Sequence, residues 1–132
     1  MADQDATVVD DGPDAAEPAP EPTPEPELLF GVPVTTMRGQ VVLHPDRDGY
    51  VALVERLRSA GYWMCVDLCG VDYLGHPAGR WLPDGVTAER FEVVLNLLNH
   101  TEHSRIRVRL QVPADDPVVP TISHLHPGVS NH

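Results

Sequence analysis

The apolar positions of residues 28–132 change period along the chain. "GQVVLH" carries Val41, Val42 and Leu43 between Gly39 and Pro45, a short apolar run with turn residues at its ends, which predicts a strand. From Asp46 the period lengthens. Tyr50, Leu53, Val54 and Leu57 recur at i, i+3, i+4 and i+7, while Glu55, Arg56, Arg58 and Ser59 fill the other side. Asp46 suits the N-cap of that helix and Gly61 the left-handed position that ends it.

Three further strands are predicted. "WMCVDLCGVDYL" is apolar at nearly every position, the pattern of an interior strand covered on both faces, with a bulge or bend at Gly70. "GHPAGRWLPDGVTA" has the glycines and prolines of a loop. "RFEVVLNLL" then places Phe91, Val93, Leu95 and Leu97 on one face and Glu92, Val94, Asn96 and Leu98 on the other. After the turn "NHTEHS", "RIRVRLQV" alternates cleanly, with Ile106, Val108, Leu110 and Val112 inward and Arg105, Arg107, Arg109 and Gln111 outward. Strand, helix and three-strand meander make an α+β fold, a two-layer mixed sheet with a helix on one face. "PADDPVVPTISHLHPGVSNH" begins as a proline-rich crossing. Thr121 or Ser123 could cap a helix that does not develop, which makes Ile122, Leu125 and Val129 the start of a covering segment that stops before it packs.

Charge separates the chain into two parts. The net charge is -11, yet residues 1–27 hold nine acids, six prolines and no basic residue, leaving 11 acids against nine arginines in residues 28–132. Prolines alternating with Glu, Ala and Thr bury no apolar surface, so residues 1–27 are expected to form an extended, disordered, solvated tail. Its acidity excludes a nucleic-acid-binding arm. The start lacks the basic and apolar regions of a secretory signal, and "FEVVLNLL" is far too short and polar to span a bilayer.

Candidate chemistry is sparse. No phosphate-binding glycine loop, nucleophile elbow or paired metal motif occurs, and no cofactor site is expected. On a regular strand Cys65 and Cys69 share a face about 13 Å apart, beyond disulfide reach, and read as small apolar core residues. Asp67 and Asp72 face opposite sides of the same strand and cannot share a proton. Asp72 and Tyr73, at the strand end, read as turn or interface groups. The row Arg105, Arg107 and Arg109 suits either an anionic partner surface or the defence of an exposed sheet edge. His100 and His103 fall in a hairpin turn; His124, His126 and His132 supply imidazoles near the end without an evident ligand set, though a free-standing module responsive to metal through its histidines is an alternative.

Four segments in order, "GVDYL" (Gly70–Leu74), "RFEVVLNLL", "RIRVRLQV" and "DDPVVPTISHLHPG" (Asp115–Gly128), together resemble the C subunit of the proton-pumping NADH-quinone oxidoreductase of respiratory chains. The resemblance spans residues 28–132, with Leu95 where the family commonly has Tyr. It implies an accessory subunit without flavin, iron–sulfur cluster or nicotinamide site. Such a subunit lies in the hydrophilic arm on the cytoplasmic side of the membrane and packs against subunits that form the quinone chamber. In the family a Pro-Gly pair like Pro127 and Gly128 precedes a helix with the signature E-R-E-x-x-D-x-x-G-I. The resemblance therefore implies that the domain is incomplete at its C-terminus and that the histidines before it are incidental.

Overall fold

The computed structural model describes residues 28–75 and 80–131; the tail expected over residues 1–27 and His132 lie outside them. Two tight reversals organise the start. β1 (Leu28–Leu29) turns through Phe30 and Gly31 into β2 (Val32–Met37), and β2 turns through Arg38 and Gly39 into β3 (Gln40–Leu43). All four turn residues have φ between 52° and 80°, the geometry that matches a two-residue turn to the right-handed twist of its strands.

Helix α1 (Arg47–Ser59) follows β3. The Asp46 carboxylate accepts from the Gly49 amide at 2.7 Å, satisfying one of the orphan donors of the first turn. At the other end the Tyr62 amide reaches back to Leu57 O and the Gly61 amide to Arg58 O, a Schellman closure that requires the φ of +107° found at Gly61. The buried face is the one the period predicts: Tyr50, Leu53, Val54 and Leu57.

β4 (Met64–Asp72), β5 (Phe91–Asn99) and β6 (Ser104–Val112) form the expected antiparallel meander, and β6 pairs in parallel with β3. The sheet order is β1-β2-β3-β6-β5-β4, a mixed six-stranded sheet. α1 covers one face over Leu43, Leu95, Leu97, Ile106, Val108 and Leu110, all buried. Burying side chains of this size contributes roughly 1.5–3 kcal/mol each.

Four expectations change. β4 is an edge strand, not an interior one, and most of its side chains are exposed; a continuous apolar run looks the same whether the surface covering it belongs to the same chain or not. The bulge falls at Val66, between Cys65 and Asp67, and not at Gly70. The extra residue there reverses which side chains face α1, so Cys65 pairs opposite Leu97 on the core side while Cys69 pairs opposite Val94 on the other. The arginines cannot defend an edge, because β6 lies between β3 and β5. Finally, the last segment does pack. Ile122 and Val129 are buried in the core and Leu125 lies against it, through a turn and a short 3-10 helix at Pro127–Asn131.

Candidate functional site

The face of the sheet turned away from α1 holds the polar chemistry. Strand alternation aims Glu92 from β5 and Arg107, Arg109 and Gln111 from β6 at this face, and the antiparallel register sets Glu92 opposite Gln111 and Val94 opposite Arg109. Glu92 is buried, and Arg109 grips it at both oxygens, Nε to Oε2 at 2.8 Å and a terminal nitrogen to Oε1 at 2.9 Å. Gln111 adds a third bond to Oε1 at 2.8 Å. The segment after the loop returns over this pair. Arg80 donates to the Gln111 side-chain oxygen at 2.7 Å and to Glu89 O, stands 3.7 Å from Glu92 and stacks on the Tyr73 ring at 3.8 Å. Arg109 also donates to Trp81 O.

Electrostatics follow from that packing. Burial alone would push the Glu92 carboxyl up, but the bonds from Arg109 and Gln111 and the fields of Arg109 and Arg80 outweigh it, and the group is held below the usual carboxylate range. Burial disfavours the Arg109 charge, and Glu92 reverses that balance, so the guanidinium is held more firmly than usual. His44 sits beside the network with Nε2 on Thr35 Oγ1 at 2.9 Å. Burial, then Arg109, lowers its pKa to about 4 against the weaker pull of Glu92, which leaves the ring neutral near pH 7.

The residues singled out from the sequence separate. Arg109 is buried and committed to Glu92; Arg107 is half-buried with Nε on Asn96 at 2.9 Å; Arg105 is exposed. They do not form one exposed row. Asp72, at the end of β4, makes a bidentate pair with Arg90, both contacts at 2.9 Å, and accepts from the Leu74 amide. Those bonds hold its carboxyl down at about 2. Asp67 lies elsewhere, on the opposite side of β4. Tyr73 serves as the platform for Arg80. His124 is exposed; His126 is buried, with Nε2 unpartnered among the described residues. No three His, Cys, Asp or Glu side chains converge on a metal-sized site among those residues.

Glu92, Arg80 and Trp81 were missed as site residues. Glu92 could have been found: an acid in the middle of an apolar strand, on the same outer face as an arginine of the next strand, pairs with it once the hairpin register is drawn. Nothing in "GRWLP" signals that Arg80 returns to the sheet.

Apolar surface borders this face. Trp81 is 59% exposed beside the network, and Trp63, just before β4, and Met64 and Val66 on it are 54%, 40% and 45% exposed. The terminal strand has neither lysine nor proline to discourage pairing. β4 thus joins exposed apolar side chains to the edge of the sheet. None of the described helices is long and apolar enough to cross a membrane.

Comparison with known proteins gives consistent answers. Residues 43–132 match the family model described as respiratory-chain NADH dehydrogenase, 30 kDa subunit. The NADH-quinone oxidoreductase C subunit of Bordetella petrii is 36% identical over 108 residues, covering 75% of this chain and 52% of the relative. That of Thiobacillus denitrificans is 41% identical over 96 residues, covering 70% and 46%. The chain thus spans about half the length of the curated relatives it matches. Among solved structures, the trypsin-resistant fragment (1-134) of Nqo5 superposes with a TM-score of 0.63 at 28% identity, covering 74% of each chain.

Proposed function

The chain belongs to the family of the 30 kDa subunit of respiratory-chain NADH dehydrogenase, and from that membership we propose that it is a docking subunit of an NADH-quinone oxidoreductase. In this reading it supports NADH oxidation and quinone reduction by holding neighbouring subunits in place and carries no redox centre of its own. It sits peripherally in the hydrophilic arm, on the cytoplasmic side, against the subunits around the quinone chamber. Asp72, Tyr73, Arg105 and Arg107 rim the contact surface.

The observation that carries this reading is β4. An edge strand of nine residues with exposed Met64 and Val66, preceded by exposed Trp63, is costly to leave in water and suited to burial against a partner. The supporting chemistry is that the one buried carboxylate on the adjoining face, Glu92, is satisfied within the chain by Arg109 and Gln111.

The test is a double charge substitution on the edge, Met64→Asp with Val66→Asp, in the full chain. The isolated protein should melt within a few degrees of the parent, since both side chains are already solvated, while its recovery in the assembled oxidoreductase falls severely. Undiminished assembly would remove the docking reading. Stoichiometric flavin or iron in the purified chain would remove the claim that it lacks a redox centre.

A further inference from the structure

The helix-free face carries more positive charge than it consumes. Arg80, Arg107 and Arg109 line one cleft of about 350 Å³ together with Glu92, and His44 beside it is neutral near pH 7. The single carboxylate is fully engaged, with three bonds from Arg109 and Gln111. Arg80 is 94% withdrawn from solvent as a side chain, yet its Nε has no acceptor among the described residues. Arg107 is committed only through Nε, to the neutral Asn96 amide. Among the described residues no carboxylate pairs with Arg107 and no acceptor faces its two terminal nitrogens.

Arg107 lines the cleft, and a pair of terminal guanidinium nitrogens is the fork that takes a carboxylate end-on. The rest of the wall is not acidic. Val42, Val71 and Val94 floor it, and exposed Trp81 and Met37 border it. An anion entering here would leave water for an under-compensated positive field, where a charge-assisted bond is strongest. A phosphate would find only one forked donor and an apolar floor, whereas a side-chain carboxylate with apolar neighbours matches both the charge and the walls.

We propose that this cleft receives a Glu or Asp side chain from an acidic segment of a partner subunit, held by Arg107 and seated against Trp81 and Met37. This rests on the docking reading and gives that surface its chemical partner: one negative charge with apolar neighbours, not a basic or purely apolar patch.

The experiment uses the full chain and an oligo-glutamate peptide, followed by the NMR shifts of the Trp81 indole N–H and the Arg107 Nε–H. Both signals should move saturably, with binding that weakens as salt rises. Arg107→Gln should weaken it at least about tenfold, while Arg58→Gln, an exposed arginine on α1, leaves it unchanged. Asn96→Asp is the second variant: nearly isosteric, it supplies an internal carboxylate to Arg107 and should abolish binding while the protein melts as the parent does. Absence of shifts, or equal binding by the Arg107→Gln and Asn96→Asp variants, would overturn the proposal. So would binding that appears only after the nine acids of residues 1–27 are neutralised, which would assign the cleft to the chain's own segment. Because the β4 variants are read by assembly and these by peptide binding, failure of the cleft proposal is distinguishable from failure of the docking reading on which it rests.

Discussion

Glu92 and His44 illustrate opposite ways of burying a titratable group. Glu92 keeps its charge because two arginines and Gln111 surround it. Its neutral replacement, Glu92→Gln, leaves Arg109 desolvated without a counter-charge and should cost about 3–5 kcal/mol of stability in urea denaturation. The double variant Glu92→Gln with Arg109→Met should recover a good part of that loss, since the penalty belongs to the orphaned charge and not to the missing attraction. His44, in contrast, gives up its charge. Its folded pKa of about 4 lies below the ordinary 6.5, so the unfolded chain binds a proton that the folded chain refuses. The stability this contributes is complete above about pH 6.5 and is lost as pH falls toward 4, on the order of 2 kcal/mol between about pH 7 and pH 5. His126, lowered by burial and then by Arg58, slopes the same way. The measurement is therefore the difference between parent and His44→Gln, whose stability should fall more shallowly over that interval.

Elements were legible from sequence where period and punctuation agreed. α1 is the clearest case: cap, apolar stripe and terminating glycine all stand where the pattern puts them. Gly61 can be tested directly. A Cβ there would lie 2.5 Å from the Asn99 side-chain nitrogen in a backbone conformation that L residues avoid, so Gly61→Ala should lower stability by more than about 1 kcal/mol, seen as a reduced melting temperature. β6 was legible because its alternation is strict, and β5 because an apolar run broken by Glu92 and Asn96 leaves one wholly apolar face. β1 and β2 were not read as strands, because Pro33 interrupts "VPVTTM" and the signal lay in Arg38-Gly39, a two-residue turn easily taken for a linker. β4 shows the deeper limit. Its residues specify a strand, but whether that strand is inside or at an edge depends on what lies next to it, and the bulge at Val66 depends on register with β5. The site suffered the same blindness: Arg109 looked like an outward arginine until Glu92 and the returning Arg80 closed over it.

At the scale of the molecule, one face of the sheet is finished by α1 and the closing segment, while the other face and the β4 edge end in exposed apolar side chains. The two thiols report on that asymmetry. Cys69 is exposed, whereas Cys65 is half-buried and burial pushes its thiol up. Maleimide should label Cys69 at least about tenfold faster, and incorporation into the assembled oxidoreductase should slow that labelling. Equal rates for the two thiols would contradict the bulge-driven separation of their faces. The parallel pairing of β3 with β6 has a further consequence, in time and not in space. The β1–β2–β3 and β4–β5–β6 units are each built from neighbours in sequence, but they join only where Val41 meets Ile106 and Leu43 meets Val108, across most of the chain. The β1–β2, β2–β3 and β5–β6 hairpins close over a few residues and β4–β5 over residues 73–90, whereas the seam spans everything between Leu43 and Ser104. Folding is therefore paced by that late encounter, and until it happens both β3 and β6 are themselves open edges, so the interval in which the chain is most prone to misassociate is set by the parallel seam between them.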